Sequence, residues 1–284
     1  MRNFAGIPTK YCTIEGAEVI LQSIPYDGTS TWGKGADKGF EAFLEAAENM
    51  ELYDIETDSQ VYQKGVHIPK EWKGFNSPEE MYKYVYSKTK ELINSNKFLT
   101  FFGGEHSVSI GIIKAFYEKY DNLTILQLDA HADLRPEYDG SSFNHACAVY
   151  DASKNTNLIQ VGIRSMDVTE KENMDYDKVF FGSQIKRNSL WINDSIGQMT
   201  DDVYITLDLD VLDPSIMPST GTPEPNGMTW QEITNYLNIV FESKNVVGFD
   251  IVELAPIKRL HAPNYLAAKL YYKMLSYKYF HENK

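Results

Sequence analysis

Short apolar runs alternate with longer stretches of helical periodicity along the whole chain. Seven of these runs are predicted to be strands: EVILQSI, KFLTFFG, LTILQL, LIQVGI, KVFFG, VYITLDL and NVVGFDI. Most are dominated by apolar residues rather than alternating between apolar and polar, which is typical of parallel strands that are covered on both faces. The alternation predicts a single α/β domain over residues 1–284, built as a three-layer α/β/α sandwich with a mostly parallel central sheet.

Helices are predicted between these strands. The three clearest candidates are Ser77–Ser95, Ser107–Tyr120 and Thr229–Ser243. The first has Ser77 as its predicted N-cap, followed by Pro78, which is favoured at the first helical position. The third begins with Thr229 and has Glu232 three residues later, which is a capping-box pattern. The polar stretch Glu56–Lys73 has no clear period and is predicted to be an irregular surface excursion.

Composition narrows the class of protein. The chain has 284 residues, 43% of them hydrophobic, and a formal net charge of -13, which argues against nucleic acid as a partner. Its two cysteines, Cys12 and Cys147, cannot build a disulfide framework. No apolar run approaches the length of a membrane span, and the first residues lack an apolar signal core. We therefore expect a soluble, cytoplasmic protein without a membrane partner.

Acid and imidazole groups cluster where three predicted strands end. The clusters are GGEH, DAHAD and DLD. A buried carboxylate must be paired or bound to a metal. Two histidines and four aspartates are too many ligands for one open catalytic ion, but they suit two ions that share bridging carboxylates. The expected metal ligands are His106, Asp129, His131, Asp133, Asp208 and Asp210.

The residue types also indicate which metal and which chemistry. Without a thiolate the set disfavours structural zinc, whereas carboxylates with imidazole suit Mn²⁺, with Ni²⁺, Co²⁺ or Fe²⁺ as possible alternatives. Alone, the DLD and GGEH clusters would more often be a turn or a helix cap, whereas DAHAD is moderately specific by itself. Two ions roughly 3.5–4 Å apart can share one water and lower its pKa towards ~7. The three clusters together predict a hydrolytic site with a hydroxide that bridges two metal ions.

Six segments resemble the ureohydrolase family, which includes arginases and agmatinases. They are GGEHS, DAHADLR, NHACAVY, LDLDVLDPS, GTPEP and DIVELAP, and the similarity runs from about Ile24 to Tyr271. The resemblance is closest to bacterial and archaeal agmatinases. It implies one α/β/α domain, two Mn²⁺ ions per chain, a homotrimer or homohexamer, and hydrolysis of a small guanidinium compound to urea and an amine.

The resemblance also implies individual roles. His106 and Asp133 would hold one ion, His131 and Asp210 the other, and Asp129 and Asp208 would bridge both. His145 matches the family's proton-transfer histidine, and Glu253 matches the acid that receives the guanidinium group. A carboxylate suits that task because it accepts paired hydrogen bonds from a planar guanidinium. Two positions depart from the commoner pattern: Glu105 stands where many members have Asp, and Ala146 where many have Gly.

Agmatine is the expected substrate, giving putrescine and urea in polyamine biosynthesis. Glu137 and Asp139, on the loop before His145, are expected to attract its distal ammonium group, although Arg135 on the same loop opposes this. Arginase activity and aminopropylagmatine hydrolysis are the nearest rivals, and guanidinobutyrate or formiminoglutamate fits the acidic loop less well. A metal-binding regulatory pseudoenzyme and a one-metal deacetylase belong to other classes. The complete set of ligands and His145 argues against both.

Overall fold

One eight-stranded sheet forms the centre of the protein, for which a computed structural model describes residues 3–282. The strands are β1 (Val19–Ile24), β2 (Val66–His67), β3 (Phe98–Gly103), β4 (Thr124–Leu128), β5 (Asn157–Val161), β6 (Val179–Phe180), β7 (Asp202–Asp208) and β8 (Asn245–Val252). Their order is β2-β1-β3-β8-β7-β4-β5-β6. Every neighbouring pair is parallel. The expectation of a mostly parallel α/β sheet is confirmed, and all seven predicted runs form strands.

Helices cover both faces of this sheet. They are α1 (Gly39–Ala47), α2 (Pro78–Ile93), α3 (Val108–Tyr117), α4 (Tyr150–Asn155), α5 (Gly182–Ile185), α6 (Leu190–Gln198), α7 (Trp230–Ser243) and α8 (Ala262–Glu282). One apolar cluster joins the sheet to α1, α7 and α8, and a second joins its other face to α2 and α3. Among residues 3–282, no helix has the length and apolar character needed to cross a bilayer.

All three predicted helices form, and each begins at the residue after its predicted start. The Ser77 side chain accepts the Glu80 amide at the start of α2, and Thr229 forms a full capping box with Glu232 at the start of α7. Ser107 does not cap α3. Its hydroxyl instead donates to the Glu105 carboxylate at 2.9 Å, so this serine belongs to the loop that leads from the sheet into the helix.

The prediction of a wholly irregular excursion over Glu56–Lys73 is wrong. The segment contains the edge strand β2 and buries apolar side chains, among them Val61, Val66 and Trp72. A two-residue strand is too short to give a readable alternation, and polar neighbours separate the buried positions. The sequence of this segment therefore carries no hydrophobic period that would predict the strand.

A buried ion pair fastens the start of this excursion to α8. The Lys273 ammonium lies 2.9 and 3.0 Å from the two Asp54 oxygens and 2.6 Å from Glu56. Burial raises the pKa of Asp54, but hydrogen bonds from Lys273 and Thr57 outweigh it and the pKa falls below 3.8. A carboxyl group whose pKa is lowered by folding stabilises the folded protein at pH values above its pKa in the unfolded state. That contribution is lost as the pH falls through its pKa in the folded state.

Replacing Lys273 with Ala is expected to lower the free energy of unfolding by about 3–5 kcal/mol, because the Asp54 charge would stay buried without its partner. Urea denaturation measures the change. Lys269→Ala is the matched control on the same helix, since the described contacts of that ammonium are a hydrogen bond to the Glu51 carbonyl at 3.2 Å and a distance of 6.0 Å to the Tyr272 ring, with no ion pair. A Lys273 variant no less stable than the Lys269 variant would contradict this account.

Candidate metal centre and active site

The ligand-type residues meet at one edge of the sheet because their strands are neighbours there. Strands β3, β8, β7 and β4 are adjacent in that order. His106 follows β3, the DAHAD segment follows β4, and Asp208 and Asp210 lie at and just after the end of β7. Glu253 follows β8, between the other contributors. In parallel sheets this carboxyl edge is where ligands bind.

One group of buried side chains surrounds His106. Its Nδ1 atom lies 3.1 Å from Asp129 Oδ2, 3.1 Å from Asp133 Oδ2 and 3.4 Å from Asp208 Oδ2. His106, Asp129 and Asp208 each offer a donor atom, and these donor atoms lie within 4.8 Å of one another. Three carboxylates and one imidazole thus converge on a volume suited to a single cation.

A second group shares Asp129 with the first. His131 Nδ1 lies 2.9 Å from Asp210 Oδ2 and 3.7 Å from Asp129 Oδ1, and the donor atoms of these three residues also lie within 4.8 Å of one another. Asp129 therefore turns one carboxylate oxygen to each histidine. The Glu224 carboxylate lies 3.9 Å from His131 Nε2, on the other side of the ring.

The hydrogen-bond pattern around His106 fits a bound metal ion. The Thr206 hydroxyl donates to Asp250 at 2.8 Å, so its oxygen accepts the His106 Nε2 proton at 2.9 Å. A neutral imidazole then has a bare lone pair on Nδ1. That atom is buried, has no hydrogen-bond partner among residues 3–282, and faces carboxylate oxygens. A metal cation between Nδ1 and the carboxylates would satisfy these lone pairs, and in its absence a proton on Nδ1 would do so, which is why, against the effect of burial, the facing carboxylates raise the pKa of His106.

Burial and mutual repulsion raise the pKa values of two acids of the site, Asp208 and Asp133. Burial and then the charges of Asp210, Asp129 and Glu253 raise the pKa of Asp208 well above its usual value. Burial and then Asp129 raise the pKa of Asp133 to about 7. Because a cation would relieve both the desolvation and the repulsion, metal binding should be linked to folding stability.

Adding Mn²⁺ to chelator-treated protein is therefore expected to raise the Tm. At 100 times the dissociation constant, each bound ion should add about 2.7 kcal/mol to the free energy of unfolding. Thermal melts across a Mn²⁺ series measure the shift. The variant Glu137→Gln, which neutralises an exposed acid, should respond like the unmodified protein, and a Tm independent of Mn²⁺ would argue against a metal centre.

A cavity of about 280 Å³ opens onto these ligands. Its walls comprise Thr31, His106, His131, Asp133, Arg135, Tyr138, His145, Ala146, Ser165, Met166, Asp167, Glu170, Asp208, Asp210, Thr222 and Glu253. Both residues expected to act on the substrate, His145 and Glu253, are thus in the wall. The cavity provides room for a small linear molecule beside the ligands.

Glu253 and His145 are both held by neighbouring groups. Glu253 has a positive φ of 67°, and its carboxylate accepts the His106 amide at 2.9 Å. Burial and then the Glu105 charge raise the pKa of Glu253. His145 is bonded to Thr29 through both its backbone amide and Nδ1. Burial and then electrostatic interaction with His106 and His131 lower the pKa of His145 to about 4.

The structure does not bring Glu137 and Asp139 into this cavity. Both are exposed, and the residues of the same loop that line the cavity are Arg135 and Tyr138. The loop turns back on itself between Tyr138 and Ser141, which places Asp139 at its tip with a φ of 51°. A tight turn of this kind points its tip residues to solvent.

Two acids in the cavity wall were not predicted from the sequence to belong to the site. Asp167 and Glu170 follow β5 and lie 4.0 and 3.9 Å from the Arg135 guanidinium. The signal available was their position after LIQVGI, a strand that neighbours β4 in the sheet. They were missed because a single DVTE segment has no metal-ligand or catalytic spacing of its own.

Comparison with known proteins identifies the family that this chain matches. Residues 17–276 match the family model described as Arginase family. An N(1)-aminopropylagmatine ureohydrolase of Thermus thermophilus is 35% identical over 272 residues, 93% of this chain and 91% of the relative. An agmatinase of Bacillus cereus is 32% identical over 255 residues, 86% of each chain.

A solved structure agrees with these matches. The agmatine ureohydrolase of Thermoplasma volcanium superposes with a TM-score of 0.86 and 28% identity, over 95% of this chain and 93% of that one. The fold, the relatives and the family model all indicate a hydrolase that acts on amidino carbon–nitrogen bonds. The chain therefore belongs to the arginase family.

Proposed function

We propose that this protein hydrolyses agmatine to putrescine and urea with two divalent cations held by the six predicted ligands. The observation that carries the proposal is the position of Asp129, which is shared by two donor groups beside a cavity lined by His145 and Glu253. Mn²⁺ is the preferred ion for this oxygen and nitrogen set, and Ni²⁺, Co²⁺ or Fe²⁺ would also fit. Asp208 would be the second bridging acid.

Glu253 and His145 would perform the catalytic roles that remain beside the metal ions. Once bound, the cation pair would acidify a shared water and so supply a nucleophile at neutral pH. The Glu253 carboxylate would accept guanidinium N–H groups and hold the central carbon in place. His145 would carry a proton to the leaving amine. Guanidinium and water are thereby converted to urea and an ammonium group, with the total charge unchanged.

The charge of the cavity supports a cationic substrate. Asp167 and Glu170 add acid to the wall, and Arg135 offsets part of that charge from 3.9–4.0 Å away. Agmatine carries a guanidinium at one end and an ammonium at the other, whereas arginine adds an α-carboxylate that these acids would repel. Aminopropylagmatine is the second candidate, because the relative that bears this substrate's name is 35% identical to the chain.

The specificity constant, kcat/KM, for agmatine is expected to exceed that for arginine by at least about tenfold, or roughly 1.4 kcal/mol. Urea release from agmatine, arginine, aminopropylagmatine and guanidinobutyrate measures the preference. Asp167→Asn should narrow the agmatine-to-arginine ratio, while Asp139→Asn on the exposed loop tip is the matched control. Equal use of arginine would overturn the assignment, and better use of aminopropylagmatine would replace agmatine with the longer polycation.

We also infer that the chain assembles as a homotrimer or homohexamer, as the family resemblance implies. Several large apolar side chains remain exposed on the single chain, notably Trp32, Ile55, Val168 and Leu190, each at least 68% exposed. Light scattering on the purified protein measures the mass, and a monomer would contradict the inference.

A further inference from the structure

Arg164 carries a positive charge beside the candidate metal centre and has no role so far. It lies three residues after the end of β5 and is half-buried. Within residues 3–282 its guanidinium has six hydrogen-bond acceptors, and all of them are backbone carbonyls. A guanidinium offers five N–H groups in one rigid plane. A single arginine can therefore hold several segments of the chain in a fixed relation to one another.

Three hydrogen bonds join Arg164, Ala130 and Asp210 in a closed ring. The Arg164 amide donates to the Ala130 carbonyl at 2.8 Å. The Ala130 amide donates to Asp210 Oδ1 at 3.0 Å, and Arg164 Nη2 donates to the Asp210 carbonyl at 2.6 Å. Ala130 lies between Asp129 and His131 in the chain. The ring thus connects the ligand segment that follows β4 to the ligand segment that follows β7.

This ring fixes both the side chain and the backbone of Asp210. The Ala130 amide occupies Oδ1, and Oδ2 lies 2.9 Å from His131 Nδ1. The Asp210 carbonyl is held by Arg164, and the carbonyls of the next two residues also accept from that guanidinium, each at 3.4 Å. The position of the ligand oxygen on the His131 side therefore depends on hydrogen bonds that Arg164 donates.

Arg164 also holds the segment that carries Glu224. Its Nη2 atom donates to the Glu224 carbonyl at 2.8 Å, and its Nε atom donates to the Pro225 carbonyl at 3.0 Å. The Glu224 carboxylate lies 3.9 Å from His131 Nε2, whereas Asp210 faces Nδ1 of the same ring. His131 is thus flanked by two acids whose backbone carbonyls are bonded to one guanidinium.

The donor group around His106 is supported by different residues. The Thr206 hydroxyl oxygen lies 2.9 Å from His106 Nε2 and its hydrogen is donated to Asp250, and the Glu253 carboxylate accepts the His106 amide. In the described part of the chain, none of these three supporting residues is bonded to the Arg164 guanidinium. Loss of the guanidinium should therefore affect the two donor groups unequally.

We propose that Arg164 is a positioning residue for the cation held by His131 and Asp210, and that it has little influence on the cation held by His106. This rests on the proposed function, in which each donor group holds one ion. The sign of the effect separates position from charge. A positive charge near a cation opposes its binding, so a role through charge alone predicts tighter binding once the charge is removed. A role through position predicts weaker binding.

Calorimetric titration of metal-stripped protein with Mn²⁺ tests this without any substrate. Arg164→Gln should bind one Mn²⁺ about 10–100-fold more weakly than the unmodified protein, the usual cost of removing a group that orients a metal ligand, and bind the other with little change. Arg164→Lys keeps the charge but replaces the planar fork with an ammonium, so it should weaken the same step. Arg187→Gln removes an exposed charge of the same type and is the matched control.

Two ligand variants identify which ion is affected. His106→Asn removes a ligand of one ion, and His131→Asn removes a ligand of the other. In the His106→Asn background, Arg164→Gln should weaken the remaining Mn²⁺ step by about 10–100-fold. In the His131→Asn background it should leave the remaining step unchanged, because the ion that Arg164 supports is already lost. The reverse pattern, or an equal loss in both backgrounds, would overturn the proposal.

The possible results separate the two proposals. Unchanged or tighter Mn²⁺ binding by Arg164→Gln, or equal weakening of both steps, would reject the positioning role and leave the ureohydrolase assignment intact. Failure of the unmodified protein to bind two ions would overturn the two-ion function and this inference with it. If two ions bind but no guanidinium compound is hydrolysed, the proposed reaction fails, and the titrations still decide the role of Arg164. Should Arg164→Gln not fold, Arg164→Lys decides, and normal binding of both ions by that variant would reject the role.

Discussion

Replacing Asp129 with Asn is expected to abolish urea release almost completely and to weaken binding of at least one metal ion. Its Oδ2 lies 3.1 Å from His106, and its Oδ1 lies 3.7 Å from His131, so one carboxylate serves both donor groups. Gln127 donates to Oδ2 at 2.8 Å and is itself bonded to Gln160 at 2.6 Å, which fixes the orientation of the acid. An amide keeps the shape but removes the charge that two cations would share.

The expected loss can be bounded from below. Removing a partner that only orients a metal ligand typically costs 10–100-fold, so removing a shared ligand should cost more than about 100-fold in kcat. Elemental analysis and urea release measured on the same sample test this. Asp201→Asn changes an exposed acid of the same chain and should behave like the unmodified protein. Near-normal turnover of Asp129→Asn with both ions bound would show that this acid is not a necessary bridge.

The second large effect is expected at His145. If this residue transfers protons, His145→Asn should lower kcat by roughly 10²–10⁴-fold, the usual contribution of a general acid or base. Metal occupancy should remain unchanged, because the described contacts of the ring are with Thr29 and Tyr138 and not with the ligand carboxylates. The combined measurement of turnover and bound metal separates catalysis from coordination. Loss of metal from this variant would make His145 a structural or coordinating residue.

The sheet could be predicted from the sequence because its strands are buried on both faces. Runs such as VYITLDL are apolar at nearly every position, and the structure buries six of the seven residues of β7. The edge strand β2 could not be predicted, since two residues do not establish a period. The register between strands, which decides which residues meet, also lies outside what a linear pattern contains.

The metal ligands of the site could be predicted from the sequence, but the contacts that support them could not. The expected ligands are short motifs at strand ends, and topology alone brings the ends of β3, β7 and β4 together. The supporting contacts depend on residues far apart in the chain: Asp250 reaches His106 through Thr206, and Thr29 joins Glu105 to His145. The linking residues Thr206 and Thr29 do not stand out in the sequence by type or spacing. The misplaced acids Glu137 and Asp139 show the same limit, because a single tight turn decides which loop residues face the cavity.

The central claim is that two metal ions on one chain hydrolyse a guanidinium compound. The most direct measurement is urea release from agmatine while metal-stripped protein is titrated with Mn²⁺. The account predicts that activity rises until two equivalents are bound per chain and that both are required for full turnover. Full activity at one equivalent, or no urea at any occupancy, would contradict it.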